Sequence, residues 1–213
     1  MDDLRSVGIL GGSFNPPHLG HLAVARHALE QLGLERVLFM PAHTAPHKPV
    51  AEDPGPEHRL SMCRLAIEGV EGLSVCGLEI ERGGPSYTVD TLNAIHASHP
   101  DARLTLIVGA DTARTLGSWR EPTMLLELAE LAVATRTGSA SQQVLDTVAG
   151  LKDGEDAHGA SVRFLAMGAI EVSSSMVRRR VARGEPLDEL VGSAVALYIA
   201  EHRLYRPRVG AVS

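Results

Sequence analysis

Hydrophobic and polar positions follow two patterns that alternate along the chain. Short runs that are apolar at almost every position have the length of strands, and between them lie longer segments in which apolar residues recur every three or four positions. Continuous apolar runs are typical of strands covered on both faces, whereas the longer spacing is typical of helices that bury one side. The predicted strands are residues 7–10, 37–40, 73–78, 104–108, 131–135 and 162–166.

Seven segments with helical spacing lie between and after these strands. The first places Leu22, Ala25, Leu29 and Leu32 on one side, and it is followed by Gly33, a residue that commonly ends a helix. The others lie around residues 60–67, 89–95, 123–129, 142–151, 174–183 and 193–202. This alternation predicts βαβ units and therefore an α/β fold with a mainly parallel sheet. Ligands bind such open sheets beyond the carboxyl ends of the strands.

Composition and charge exclude several classes of protein. The 213 residues are 44% hydrophobic and 22% charged, which is typical of one globular domain, 1–213, with a helical part from about residue 171. Only 3% of the residues are aromatic and the net charge is −6, so a nucleic-acid-binding surface is not expected. No apolar stretch approaches the roughly 18–20 residues that span a bilayer, and the acidic N-terminus is unlike a signal peptide. We expect a cytoplasmic monomer or small homo-oligomer without nucleic-acid or membrane partners.

The segment directly after the first predicted strand carries the strongest chemical signal. Residues 11–21 read Gly-Gly-Ser-Phe-Asn-Pro-Pro-His-Leu-Gly-His. Gly11 and Gly12 allow the backbone to approach a ligand closely, and the free N–H groups of a following helix start favour a phosphate. His18 and His21 are three residues apart, so both project on one side as phosphate donors. Two other interpretations stay open: histidines that merely cap a helix, and a metal site, although no third ligand has suitable spacing.

This segment resembles the signature of the nucleotidyltransferases with an H-x-G-H motif. That family has a Rossmann-like fold, transfers a nucleoside monophosphate from a triphosphate and releases pyrophosphate. Residues 172–178 resemble its I-S-S-T-x-I-R motif, in which a second helix start holds the ATP phosphates. Ser173 or Ser174 suits the N-cap. Arg178 lies one turn inside the helix, where its guanidinium can donate two parallel hydrogen bonds to phosphate oxygens. The alternative without a chemical role for this segment is a capped surface helix with a solvated run of arginines.

The resemblance implies a doubly wound, mainly parallel sheet with helices on both faces. It also implies that the residues of the two motifs bind ATP. These residues are Gly11, Gly12, Ser13, Phe14, His18, His21, Ser173, Ser174 and Arg178.

Three middle segments resemble one group within that superfamily, the bacterial nicotinate-nucleotide adenylyltransferases. Residues 41–48 resemble the group's P-x-x-x-P-P-H-K loop, residues 86–92 match its S-Y-T-x-D-T-L helix start, and residues 109–119 match G-A-D-x-x-x-x-L-x-x-W. Two positions depart from the pattern. Ala45 replaces the first of two prolines and is expected to loosen the loop, whereas Asn15, where Asp is frequent, keeps a short polar side chain.

The resemblance implies adenylyl transfer from ATP to nicotinate mononucleotide, giving nicotinate adenine dinucleotide and pyrophosphate in NAD biosynthesis. The phosphate of the mononucleotide is already a nucleophile, so the site needs alignment and charge screening, and no covalent enzyme intermediate is expected. The implied catalytic residues are His18, His21, Lys48 and Arg178. Mg²⁺ is expected to be held mainly by phosphates and water, with no metal ligand assigned in the protein.

The pyridine nucleotide requires contacts of its own. By resemblance, Trp119 stacks on the ring, N–H groups near Thr88 and just after Trp119 bind the carboxylate, and Asp111 accepts from ribose hydroxyls. A core indole for Trp119 and a helix cap for Thr88 are the competing interpretations. The predicted nicotinate nucleotide-binding residues are Ser13, Lys48, Thr88, Asp111, Trp119 and Arg120.

Other interpretations of the whole chain stay open. An enzyme that prefers nicotinamide mononucleotide would differ from the nicotinate enzyme only in which pyridine base it selects. A phosphopantetheine adenylyltransferase is usually shorter and has Thr in place of the first His of H-x-G-H. A non-catalytic nucleotide-binding regulator is disfavoured by the intact His18, His21 and Lys48.

Some residues and segments are expected to have no chemical role. Arg59 belongs to a helix often seen in the family, but a salt-bridged surface position explains it equally well. Cys63 and Cys76 are expected to pack as small apolar groups. Residues 137–160 are predicted to form a surface helix with flexible ends, whereas the proline-rich loop 41–56 is expected to be functional.

Overall fold

The computed structural model of the protein describes residues 5–46, 52–135, 140–151, 162–168 and 171–206. Within these residues six strands form one sheet in the order β3-β2-β1-β4-β5-β6, and every pair of neighbours is parallel. The predicted doubly wound α/β fold is therefore confirmed. The strands are β1 Ser6–Gly12, β2 Arg36–Pro41, β3 Leu73–Val75, β4 Arg103–Gly109, β5 Glu130–Thr135 and β6 Val162–Ala166.

Helices connect the strands and continue beyond the last of them. They are α1 Leu19–Leu32, α2 Pro56–Ile67, α3 Leu78–Arg82, α4 Thr88–Ser98, α5 Ala110–Ala113, α6 Pro122–Leu128, α7 Ala140–Gly150, α8 Ser174–Arg183, α9 Asp188–Val191 and α10 Ser193–Glu201, with a 3-10 turn at Leu116–Ser118. None of the helices in the described part of the chain is long and apolar enough to span a membrane.

One predicted strand is too long. Residues 73–78 were expected to be extended, but β3 ends at Val75 and Leu78 begins α3. The last link to the sheet is the Cys76 N–H, which donates to the Phe39 carbonyl at 2.9 Å. Gly77 then turns the chain into a helix whose first turn contains Glu79, where a negative charge is favourable.

The apolar side chains of β1 alternate between two layers. Val7 and Ile9 belong to a core that includes residues of α4 and α6, whereas Leu10 belongs to a core with residues of α1 and α2. Gly8 lies where there is no room for a side chain, because an added Cβ would lie 2.7 Å from the Ile107 Cδ1 atom. The continuous apolar runs of the sequence thus correspond to strands packed on both faces.

A third apolar cluster joins the C-terminal helices to α2. Val177 of α8 and Val195 and Ile199 of α10 pack with Met62 of α2. Beyond α10, the Tyr205 hydroxyl donates to the Asn15 Oδ1 atom at 2.7 Å. The C-terminal helices are therefore attached directly to the loop that follows β1.

Candidate active site

A cleft of about 870 Å³ opens at the carboxyl edge of the sheet. It lies where β1 and β4 end and where α1, α4 and α8 begin. Every predicted site residue in the described part of the chain lines it: Gly11, Gly12, Ser13, Phe14, His18, His21, Thr88, Asp111, Trp119, Arg120, Ser173, Ser174 and Arg178. Lys48 lies outside the described residues, so its predicted role remains a prediction from the sequence.

The β1–α1 loop forms part of the floor of this cleft. Phe14 has a φ of 46°, in the left-handed region, and its ring is buried against Phe39 at a centroid distance of 5.4 Å. The Asn15–Pro16 peptide bond is cis. A bulky residue in the left-handed region is held there by its surroundings, and the buried ring provides one part of that restraint.

The two histidines stack on each other at the start of α1. Their ring centroids are 3.7 Å apart, and the backbone N–H of His18 donates to the Nδ1 atom of His21 at 3.2 Å. His18 is the N-cap residue of α1, so the capping interpretation describes part of its role. Because the Nδ1 atom of His21 accepts a hydrogen bond, the neutral ring carries its proton on Nε2.

Burial determines the charge of this pair. It lowers the pKa of His18 to about 4, and burial together with the neighbouring His18 lowers the pKa of His21 well below its ordinary value. Both imidazoles are therefore neutral near pH 7. The rings can therefore offer N–H donors to a phosphate, as predicted, but they add no formal positive charge at this helix start.

Helix α8 begins beside the same loop. The Ser173 side chain accepts the Met176 N–H at 3.2 Å, which confirms Ser173 as the N-cap. The Ser174 hydroxyl donates to the Pro16 carbonyl at 2.8 Å, so this hydroxyl is engaged in holding the loop. The backbone N–H groups of the first turn of α8 remain the phosphate donors that this helix start offers.

Arg178 faces the loop and a carboxylate rather than open solvent. Its Nη1 donates to the Asn15 carbonyl at 2.7 Å, and its Nε lies 3.6 Å from the Glu52 Oε2 atom. Its side chain is 18% exposed. The solvated-surface interpretation is therefore wrong for Arg178, and a phosphate that binds its Nε must compete with Glu52.

The Trp119 wall of the cleft is formed by Thr88, Asp111, Trp119 and Arg120, which were predicted to bind the pyridine nucleotide. Trp119 is half-buried, packs against the apolar core and lines the cleft, so the core interpretation describes part of its role and stacking on the pyridine ring stays a prediction. Thr88 is the first residue of α4, whereas Tyr87 occupies the N-cap position and no side chain caps this helix. The interpretation of Thr88 as a helix cap is therefore wrong, and its backbone N–H lies at a helix start.

Two charged residues on this wall are exposed and already paired. The Asp111 side chain is 93% exposed and pairs with Arg114. Arg120 lies 3.4 Å from Asp90 and stacks its guanidinium 4.9 Å above the Tyr87 ring centre. Exposed ion pairs contribute little to stability, so a ligand can replace these partners at small cost.

Glu79 is a cleft residue that the sequence analysis missed. It is 7% exposed, and its Oε1 atom accepts the Thr91 hydroxyl at 2.6 Å. Burial raises the pKa of Glu79, against the effect of hydrogen bonds from Thr91 and Ser86 and of the charge on Arg82. In the sequence it is one acidic residue among several, so no local signal separates it from a surface carboxylate.

Arg59 differs from the expectation of a salt-bridged surface position. It is 2% exposed rather than at the surface, and its guanidinium donates to the Ser13, Ala42 and His43 carbonyls at 3.0, 2.5 and 2.8 Å. Its Nε also lies 3.0 Å from Asp53. A signal was available: positions 59, 63 and 67 share one side of a helix, and the other two are apolar.

Comparisons with known proteins agree with this geometry. Residues 9–180 match the family described as cytidylyltransferase-like. A protein of Salinibacter ruber named "Probable nicotinate-nucleotide adenylyltransferase" is 40% identical over 202 residues, which cover 95% of this chain and 98% of that protein. A protein of Gemmatimonas aurantiaca with the same name is 42% identical over 200 residues, covering 94% and 92% of the two chains.

Solved structures share the fold. The Plasmodium falciparum nicotinic acid mononucleotide adenylyltransferase complexed with NaAD aligns with a TM-score of 0.75 at 17% identity, covering 94% of this chain and 97% of that one. The same enzyme complexed with APC aligns with a TM-score of 0.73 at 16% identity, with the same coverage. These two likenesses show the fold alone, whereas the family match and the near-full-length relatives place the chain in the cytidylyltransferase-like family, among the bacterial nicotinate-nucleotide adenylyltransferases.

Proposed function

We propose that the protein transfers the adenylyl group of ATP to nicotinate mononucleotide and releases pyrophosphate. A phosphate oxygen of the mononucleotide attacks the α-phosphorus of ATP, and the bond from that phosphorus to the oxygen bridging to the β-phosphorus breaks. The observation that carries this proposal is a single cleft that joins the H-x-G-H helix start, the α8 helix start and the Trp119 wall.

The residues of the cleft supply alignment and donors rather than a covalent group. The neutral His18 and His21 rings offer N–H donors to the ATP phosphates, and the first turns of α1 and α8 add backbone N–H groups. Arg178 provides a cation beside the same loop. Lys48 supplies a further cation in this proposal, on the strength of the sequence alone.

Mg²⁺ is proposed to enter with the triphosphate. The described carboxylates of the cleft are Asp111, which is paired with Arg114, and Glu79, which is buried and accepts from Thr91. Across the described residues no three His, Cys, Asp or Glu side chains are grouped to hold a metal ion. A hard cation with oxygen ligands therefore fits the phosphates best, where it would neutralise charge on the departing pyrophosphate.

The Trp119 wall is proposed to bind the nicotinate half. The indole is proposed to offer a flat apolar face to the ring, and the backbone N–H groups of Thr88 and Arg120, two residues that line the same cleft, are proposed to donate to its carboxylate. Ser13 and Asp111 complete the proposed contacts with the phosphate and the ribose.

A direct assay tests the function. The purified protein is mixed with ATP, Mg²⁺ and nicotinate mononucleotide, and the dinucleotide is quantified by chromatography alongside released pyrophosphate. We expect equal amounts of both products. ATP hydrolysis without dinucleotide, or no turnover at all, would contradict the proposal.

The same assay separates the remaining alternatives. Nicotinamide mononucleotide and phosphopantetheine replace nicotinate mononucleotide at equal concentration. We expect the highest kcat/KM with the nicotinate substrate. A preference for the amide would contradict the proposal that N–H groups of the cleft bind the nicotinate carboxylate. Activity with phosphopantetheine alone would show that the acceptor is a different molecule.

A further inference from the structure

We propose that Arg59 is a positioning residue that turns the backbone N–H of Phe14 into the cleft, where it donates to a phosphate of ATP. The inference rests on the proposed function for the identity of the nucleotide. Arg59 itself lies beneath the β1–α1 loop at 2% exposure, so it acts through the backbone that it holds.

Arg59 fixes the direction of the Ser13 carbonyl. Its oxygen accepts from the Arg59 Nη1 at 3.0 Å, on the side of the loop where Arg59 is buried. The Ser13–Phe14 peptide bond is not among the cis bonds of the described chain, and in a trans peptide the N–H points opposite to the C=O. Fixing the carbonyl toward Arg59 therefore fixes the Phe14 N–H in the opposite direction, and both residues line the cleft.

The Phe14 backbone needs this restraint. Its φ of 46° lies in the left-handed region, which is strained for a non-glycine residue and persists only where the surroundings enforce it. Within the described residues no acceptor is found for the Phe14 N–H. A preformed anion site requires an N–H donor that is free of protein acceptors and held in a fixed direction, and the Phe14 N–H meets both conditions in this proposal.

Two further carbonyls of the loop are held by other donors. Arg178 holds the Asn15 carbonyl at 2.7 Å, and Ser174 holds the Pro16 carbonyl at 2.8 Å. With Ser13 held by Arg59, three carbonyls of this loop are occupied by donors of the protein. A phosphate approaching the loop is thus spared repulsion from these three oxygens.

Orientation, rather than charge, is the contribution of Arg59. Its guanidinium is paired with the Asp53 carboxylate at 3.0 Å, which offsets its positive charge. The planar guanidinium also donates to the Ala42 and His43 carbonyls, just after β2. Lysine cannot reproduce this set of directed hydrogen bonds, since its ammonium is a single point donor.

The test compares two ligands that differ only in phosphate. Binding of ATP and of adenosine is measured by calorimetry for the parent protein and for Arg59→Lys, which keeps the buried charge. We expect ATP to bind about tenfold more weakly to Arg59→Lys and adenosine to bind equally to both proteins. Arg64→Lys, an exposed position on the same helix, is the matched control and is expected to leave both affinities unchanged.

Two outcomes would overturn the inference. One is unchanged ATP affinity in Arg59→Lys, and the other is an equal loss for ATP and adenosine, which would indicate general damage. In ¹⁵N spectra the Phe14 amide is expected to shift on ATP addition in the parent and to shift less in the variant, and equal shifts would count against the role. Because these are binding measurements, they stand even if the adenylyl-transfer assay fails.

Discussion

His18 and His21 show how burial changes what a side chain can contribute. An imidazole in water is partly protonated near neutral pH, but stacking the two rings at a buried helix start favours the uncharged form of both. The rings then act as N–H donors whose directions are set by the helix. Such donors serve a transition state best because they need no reorientation during the reaction.

Replacing His18 with Ala removes one of these donors. We expect kcat to fall by about 10²–10³-fold, in line with the loss of one preorganised donor at a reacting oxyanion. The melting temperature should change little. His27→Ala is the control, because His27 lies on the same helix with its ring near Gln31. Equal turnover of His18→Ala and the parent would contradict the assigned role.

The titration of His18 gives a second measurement. In the free protein its ring protons should titrate near pH 4 in NMR spectra, and ATP should raise that midpoint because a nearby anion favours the imidazolium. Between pH 4 and the ordinary value of 6.5 the unfolded chain binds more protons than the folded one. The free energy of unfolding must therefore fall as the pH is lowered through this window. A midpoint near 6.5 without ligand would refute the buried, neutral pair.

Single residues also mark the limit of what the sequence could predict. The cleft residues 11–21 and 173–178 were identified because their order in the chain is itself a pattern. The burial of Arg59 and Glu79 depends on how α2 and α3 pack. Arg59 shares one side of its helix with Cys63 and Ile67, which is a local signal, whereas nothing in the pattern around Glu79 distinguishes a buried, hydrogen-bonded carboxylate from a solvated one.

At the scale of elements, length decided which predictions succeeded. Helices of ten or more residues, such as α1 and α8, display their three- and four-residue spacing clearly. The short helices α3, α5 and α9 have four or five residues, too few for a period to be visible. The error at β3 has the same origin, because Leu78 continues an apolar run although it belongs to a helix.

The central strand offers a test of packing. Gly8→Val places a side chain against Ile107, Leu34 and Val37, where even a Cβ would lie within 3.0 Å of each. We expect the free energy of unfolding to drop by about 1–3 kcal/mol because of overpacking, as measured by urea denaturation. Gly150→Val is the control, since nothing lies within 4 Å of a Cβ there. Equal stability of the two variants would show that the core relaxes around the added atoms.

The whole molecule explains where the cleft lies. β1 lies inside the sheet, with β2 on one side and β4 on the other. The strands that follow β1 therefore extend the sheet first in one direction and then, from β4 onward, in the opposite direction. Open α/β sheets bind ligands at such a position. The alternation of strands and helices predicted the parallel sheet, but the strand order depends on long-range pairing that no local pattern encodes.

The C-terminal segment contributes to the stability of the whole. Tyr205→Phe removes the donor to the Asn15 Oδ1 atom, and Asn15 is 1% exposed. An unsatisfied buried acceptor costs about 1–3 kcal/mol, so we expect a matching loss in urea denaturation. Tyr198→Phe is the control, because the Tyr198 hydroxyl is only partly buried against His58. A Tyr205→Phe variant as stable as the control would mean that water replaces the lost donor.

The hydrogen bond from Ser174 to Pro16 joins residues that lie 158 positions apart. Proteins are synthesised from the N-terminus, and their segments fold in that order where they can. In a chain that is still attached to the ribosome, the β1–α1 loop is thus present before Ser174 and Arg178, which hold two of its carbonyls, have been synthesised. Under the proposed function, an incompletely translated chain therefore lacks the α8 part of the ATP site until the final helices emerge and dock.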